Sequence, residues 1–110
     1  MENSKKILNL LGLATKAGKI ASGEFAAEKA VKSGKAHLVI VSEEASDNTR
    51  KMFTNMCTYY HVPVCFFGKK EELGHSMGKE FRASLAITDE GFAKTLVKQM
   101  NVNGGSKYES

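Results

Sequence analysis

Four consecutive apolar residues, Leu38-Val39-Ile40-Val41, restrict what this 110-residue chain can fold into more than any other stretch. A strand sends successive side chains to opposite faces, so a run without a polar member needs cover on both of them. A sheet with one wet face cannot hold it. Helices must lie above and below, and the rest of the chain supplies them, because helical and strand-like patterns alternate from one end to the other.

Ser4 can cap a helix carrying Ile7, Leu8, Leu10, Leu11, Leu13 and Ala14, which Gly18 ends. Lys19 to Ser22 is short and β-compatible, Gly23 opens a second helix, and Gly34 stands where a left-handed cap closes it before the strand Ala36 to Val41. Ser46 or Asp47 caps a third helix with Met52, Phe53, Met56, Cys57 and Tyr60 on its apolar side. Val62 to Phe67 follows as a strand entered through Pro63, the only proline, which cannot donate to a ladder and belongs at such a start. Gly68 precedes a short helix with Leu73 and Met77 that Gly78 closes. Arg82 to Thr88 then forms a strand, and Thr88 or Asp89 caps a last helix holding Phe92, Leu96, Val97 and Met100. Residues 102–110, polar and glycine-rich, read as a disordered tail, which leaves one domain over residues 1–101.

A chain of this length has room for one core, and 42% hydrophobic residues is ordinary for a globular protein. The longest apolar runs, Ile7 to Ala14 and Leu38 to Val41, are too short to span a bilayer, and the opening MENSKK has no apolar signal core behind it. The expectation is a cytoplasmic protein without a membrane partner, its two cysteines, Cys57 and Cys65, reduced. Sixteen basic against twelve acidic residues permit an anionic partner without demanding one.

Cys57, His61 and Cys65 stand at four-residue intervals, a spacing that could suggest metal ligands. Buried thiols explain them better, since Cys57 belongs to an apolar helix stripe and Cys65 to a strand interior. No metal site is expected. No Ser/His/Asp order or paired acid supplies catalysis, and GEFAAEK, from Gly23 to Lys29, has neither the glycines of a dinucleotide loop nor the lysine-serine ending of a triphosphate loop. The chain reads as non-enzymatic, without catalytic residues or cofactor.

The second helix carries the functional signal. At 100° per residue, Phe25, Lys29 and Lys32 fall within roughly 60° of one another, while Ala27, Ala30 and Val31 occupy the other side. The small residues let the helix lie close on a sheet. The cationic face begins beside the unpaired N–H groups of the first turn, where an anion is welcome.

The segment GEFAAEKAVKSGKAHLVI, from Gly23 to Ile40, resembles the glycine-to-lysine helix and following strand of the kink-turn RNA-binding ribosomal proteins, the L7Ae/L30e superfamily. YYHVPV at Tyr59 to Val64, ELG at Glu72 to Gly74 and GKEFRASLAI at Gly78 to Ile87 follow in that family's order. The opening LLGLATKAGKIASGE and the later AITDEGFA are most similar to its small bacterial branch, the YlxQ-type proteins. The resemblance covers Leu8 to Met100. It implies an α/β fold, a three-layer α/β/α sandwich with a four-stranded mixed sheet and about five helices. It also implies an RNA site made by the start of the second helix and the loop before the last strand: Gly23, Glu24, Phe25, Lys29 and Lys32 from the one, Glu80, Phe81 and Arg82 from the other. Gly23 matches the family's glycine of close backbone approach, and Lys29 its phosphate-contacting lysine. Phe25 and Ala26 stand where the L7Ae type carries Asn-Glu to read tandem sheared G·A pairs, so the surface carries over more fully than the base-reading does.

The function expected is binding of structured, kink-turn-like RNA in a translation or ribosome-related setting, with ribosomal RNA, the ribosome or a translation factor as partner. The rival is a protein-interaction module that kept the fold and lost kink-turn binding, which the missing Asn-Glu pair would allow.

Overall fold

The computed structural model describes residues 2–103 and 107–109. Along the chain it has α1 (Glu2–Lys16), β1 (Ile20–Ser22), α2 (Glu24–Lys32), β2 (Leu38–Val41), α3 (Asp47–Tyr60), β3 (Val64–Phe66), α4 (Lys70–Ser76), β4 (Ser84–Ile87), α5 (Glu90–Asn103) and β5 (Lys107–Glu109). The strands form one mixed sheet in the order β1-β4-β2-β3-β5. β2 runs parallel to β3, with Ile40 opposite Cys65, and antiparallel to β4, with Ile40 opposite Leu85. β1 pairs antiparallel with β4, with Ala21 opposite Ala86.

The period of two sorts the strand side chains onto two cores. Leu38, Ile40, Cys65, Leu85 and Ile87 face α1, α4 and α5, where they meet Ile7, Leu11, Leu73, Leu96 and Met100. Val39, Val41, Val64, Phe66 and Ala86 face α2 and α3, where they meet Ala27, Ala30, Val31, Phe53 and Cys57. All four residues of β2 are fully buried. The three layers expected from the apolar run are therefore present, and α2 lies on the sheet through alanines, as its small-residue face requires.

The caps follow the local chemistry. The Thr49 N–H donates to Ser46 Oγ at 3.2 Å, and the Phe92 N–H donates to Asp89 Oδ2 at 2.8 Å. Gly34 closes α2 with φ 80°. Ser4, expected as a cap, sits inside the first helix, which begins at Glu2.

Part of the stretch read as a tail lies in elements of the fold. α5 continues to Asn103, and Lys107–Glu109 adds β5 antiparallel to β3. The four expected strands are β1 to β4, and β5 makes the sheet five-stranded. Pairing at a sheet edge uses main-chain N–H and C=O groups, so the polar composition that argued for disorder does not prevent it. The rest of that expectation, residues 104–106 and 110, lies outside the described residues. Among the described residues no helix is long and apolar enough to cross a membrane.

Candidate nucleic-acid interface

β1 ends at Ser22, and the chain turns into α2 through Gly23 at φ 95° and ψ 167°, a region that only glycine enters freely. A Cβ added there would meet Arg82 Nε no closer than 3.7 Å, so backbone conformation rather than space demands the glycine. The Gly23 N–H donates to the Ser84 carbonyl at 3.0 Å, which joins the start of α2 to β4. Arg82 Nε–H donates to Ser22 Oγ at 2.8 Å, and Arg82 Nη1–H donates to the Phe81 carbonyl at 2.7 Å. These bonds hold the loop before β4 beside the first turn of α2, although the two segments are far apart in sequence. As an N-cap, Gly23 has no side chain to satisfy the first-turn N–H groups of α2, which are left for solvent or a ligand.

α4 supports the other half of the site. The Arg82 N–H donates to the Lys70 carbonyl at 3.0 Å, and the Lys79 N–H donates to the Gly74 carbonyl at 2.8 Å. A Cβ at buried Gly74 would come within 2.6 Å of the Glu80 carbonyl oxygen and 2.7 Å of Phe81 N. The bare glycine lets the loop backbone rest directly on the helix.

Between the two halves lies an open cleft of about 410 Å³, with Ser22 to Ala26 as one wall and Phe81 to Ser84 as the other. Phe25 is 81% exposed and Phe81 60% exposed, an unusual placement for two phenylalanines on one rim. Arg82 is half-buried, with its remaining guanidinium N–H groups near the opening. Of the residues expected at an RNA site, the structure gathers Gly23, Glu24, Phe25, Phe81 and Arg82 around this cleft. Glu80 is exposed on the same loop but does not line it.

Lys29 and Lys32 line a second depression of about 390 Å³ on the outer face of α2, together with Phe25, Glu28 and Ser33. They differ in pairing. Lys32 Nζ is 2.7 Å from Glu28 Oε2, and that hydrogen bond and charge raise its pKa above the ordinary 10.5. Lys29 makes no ion pair among the described residues.

Sequence reasoning missed Ser22, Gly74 and Ser84. Ser22 anchors Arg82 and Gly74 seats the loop; both matter through tertiary contacts that no local pattern encodes. Ser84 was visible as a hydroxyl opening an apolar strand. It is buried against the cleft, and its Oγ has no hydrogen-bond partner among the described residues.

Cys57 and Cys65 are free and fully buried, and burial pushes their thiols up to about 11 and about 12. Both thiols are thus held in the protonated form near neutral pH, the less reactive form toward electrophiles. Among the described residues no group of three His, Cys, Asp or Glu side chains could hold a metal ion.

Residues 5–97 match the Ribosomal protein L7Ae/L30e/S12e/Gadd45 family. The RNA-binding protein YlxQ of Bacillus subtilis (strain 168) is 44% identical over 92 residues, which cover 84% of this chain and 92% of that protein. Large ribosomal subunit protein eL8 of Cenarchaeum symbiosum (strain A) is 30% identical over 95 residues, 86% of this chain and 75% of that one. The solved structure of the Giardia lamblia 15.5kD RNA binding protein superposes with a TM-score of 0.78 at 27% identity, covering 93% of this chain and 90% of that chain.

Proposed function

The chain belongs to the ribosomal protein L7Ae/L30e/S12e/Gadd45 family, in its YlxQ-like bacterial branch, and from that premise we propose that it is a non-enzymatic protein that binds kink-turn-like structured RNA in the cleft between α2 and the loop before β4. The observation that carries this reading is the clamp between Arg82 and Ser22, which brings a glycine-opened helix start and a loop with an exposed aromatic to the two sides of one open groove. The names of the relatives support RNA as the ligand, and that of the eL8 relative supports a ribosomal setting in the cytoplasm.

The geometry suits a bent RNA. A regular A-form helix hides its base edges in a deep groove, whereas a sharp bend splays bases and crowds phosphates. Gly23 lets backbone approach backbone, the first-turn N–H groups and Lys29 meet phosphates, and Phe25 or Phe81 offers a face to an unstacked base. Glu24 keeps anions from settling against its own carboxylate, so the phosphate path runs toward Lys29 and Arg82. Phe25 and Ala26 have no polar group with which to read sheared G·A edges. Binding therefore comes mainly from backbone contacts and stacking.

The test is a titration, at one salt concentration, of a standard kink-turn and of one with its G·A pairs disrupted. The native protein binds both, and Phe25→Asn with Ala26→Glu restores preference for the first by about 1–3 kcal/mol per regained base-edge contact. Lys29→Ala lowers the slope of log affinity against log salt by about one. Failure of the native protein to bind either RNA at low salt would sink the proposal. The exposed Phe25 and Phe81 also favour a second reading, a protein-interaction module; under it, no RNA would be recovered with the tagged protein from cells.

A further inference from the structure

We infer that the RNA-binding surface continues beyond the cleft, along the outer face of α2 to Tyr59 and Tyr60 at the end of α3, and that this track holds a single-stranded segment adjoining the folded RNA. The inference rests on RNA binding at the cleft and adds to it a second contact region and the kind of RNA that fills it.

Phe25 belongs to both depressions, so the cleft and the groove along α2 form one continuous surface. From Phe25 to Lys32 the helix advances about 10 Å, with Lys29 between them. Past Lys32 the surface turns aromatic again. α2 and α3 pack against each other on one face of the sheet, and because they lead into the parallel strands β2 and β3, they end at the same edge, with Tyr60 closing α3 beside the end of α2. Tyr60 is 40% and Tyr59 76% exposed, and their rings meet edge to face at 4.9 Å and 77°.

The phase of α3 agrees with this placement. α3 packs over β2 and β3, and α2 over β1 and β4. Arg50 lies over the Phe66 ring at 4.8 Å, on the flank of α3 toward β3. Tyr59 comes nine residues later, about half a turn out of phase, so it points away from that flank, outward and toward α2.

The order along the track is aromatic, lysine, lysine, aromatic. A single strand presents bases and phosphates in alternation, and flat rings interleaved with cations match it without regard to sequence. Glu28 is the one acidic wall of the groove and its carboxylate is bound to Lys32, so the pair is locally neutral and Lys29 carries the net positive charge of the groove. A protein partner would be better served by a contiguous apolar patch, which the two lysines interrupt.

The protein has no tryptophan, so Tyr59→Trp adds a single indole whose fluorescence reports stacking. A kink-turn duplex is titrated in three forms: blunt, with a short single-stranded oligoadenosine at one end, and with it at the other. The native protein and Tyr59→Trp should bind one extended form about tenfold more tightly than the blunt one, as expected of about one stacked base, and only that form should quench the indole. Tyr59→Ala with Tyr60→Ala should lose this gain and keep its affinity for the blunt duplex, which also shows that the variant is folded. Equal affinity of the native protein for all three forms, with an unquenched indole, would overturn the inference and leave the two tyrosines to a protein partner, while the cleft reading would stand. Failure to bind any form would overturn both.

Discussion

At the scale of single residues, the two thiols set a pH limit on the fold. Cys57 and Cys65 each begin from an ordinary pKa of 9.0, and burial alone raises them to about 11 and about 12. Below about pH 9 both are protonated whether the chain is folded or unfolded, and their contribution to stability is fully present. As pH rises above 9, the unfolded thiols ionise while the folded ones do not, so the unfolded state gains and stability falls until the folded thiols ionise in turn, near 11 and 12. Denaturant melts between pH 8 and 11 should show this decline. Cys57→Ala with Cys65→Ala should flatten it, at a cost in packing that does not depend on pH. Thiol-specific reagents at neutral pH should label the native protein only as fast as it opens. Rapid labelling of either cysteine in the folded protein would contradict the burial and reopen the chemistry that their spacing with His61 suggested.

At the scale of elements, α2 is legible in the sequence because its two faces differ in residue type every turn, which marks both its alanine side and its lysine side. The loop that completes the site was not legible as a geometry. Its residues Glu80, Phe81 and Arg82 could be assigned only by family likeness, because what places them is Gly74 beneath their backbone and Ser22 beside Arg82, contacts made across the fold. The same physics separated the two halves of the lysine face: residue type gave Lys29 and Lys32 equal standing, but a 2.7 Å ion pair ties Lys32 to Glu28. Gly74→Ala tests the seat of the loop. Its Cβ would lie 2.6–2.7 Å from the Glu80 and Phe81 backbone, which cannot swing aside as a flexible side chain would. Overpacking of this kind costs about 1–3 kcal/mol, and each kcal/mol lowers Tm by roughly 4–8 °C in a domain near this size. Displacement of Phe81 and Arg82 should also weaken RNA binding. Gly12→Ala in α1 is the control, because its Cβ would stand at an ordinary 3.4 Å from the Ser76 carbonyl oxygen and alanine favours a helix interior. Equal Tm and RNA affinity for both variants would show that α4 does not position the loop.

At the scale of the whole molecule, one sheet serves two cores, and that arrangement decides which parts can open independently. Leu38 and Ile40 belong to the core under α1, α4 and α5, while Val39 and Val41 belong to the core under α2 and α3. β4 divides in the same way, with Leu85 and Ile87 on one side and Ala86 on the other. Freeing the amides of β2 or β4 therefore means disrupting both cores at once, which amounts to global unfolding. This was readable in LVIV itself, since a strand without a polar residue must be covered twice. The edge was not readable, because β5 pairs through main-chain groups that every residue carries. β1 and β5 each have one neighbouring strand, β4 and β3 respectively, so either can fray while β2 keeps both of its partners. Native-state hydrogen exchange should accordingly give Leu38 to Val41 and Leu85 to Ile87 the highest protection, close to the global unfolding free energy and falling with denaturant at the global slope. Amides of Lys107–Glu109 should exchange much earlier, by local opening with little dependence on denaturant. Protection of β5 equal to that of β2 would mean that the edge strand belongs to the cooperative unit. Early exchange in β2 would mean that the two cores can open separately, and α2 could then loosen without loss of the sheet.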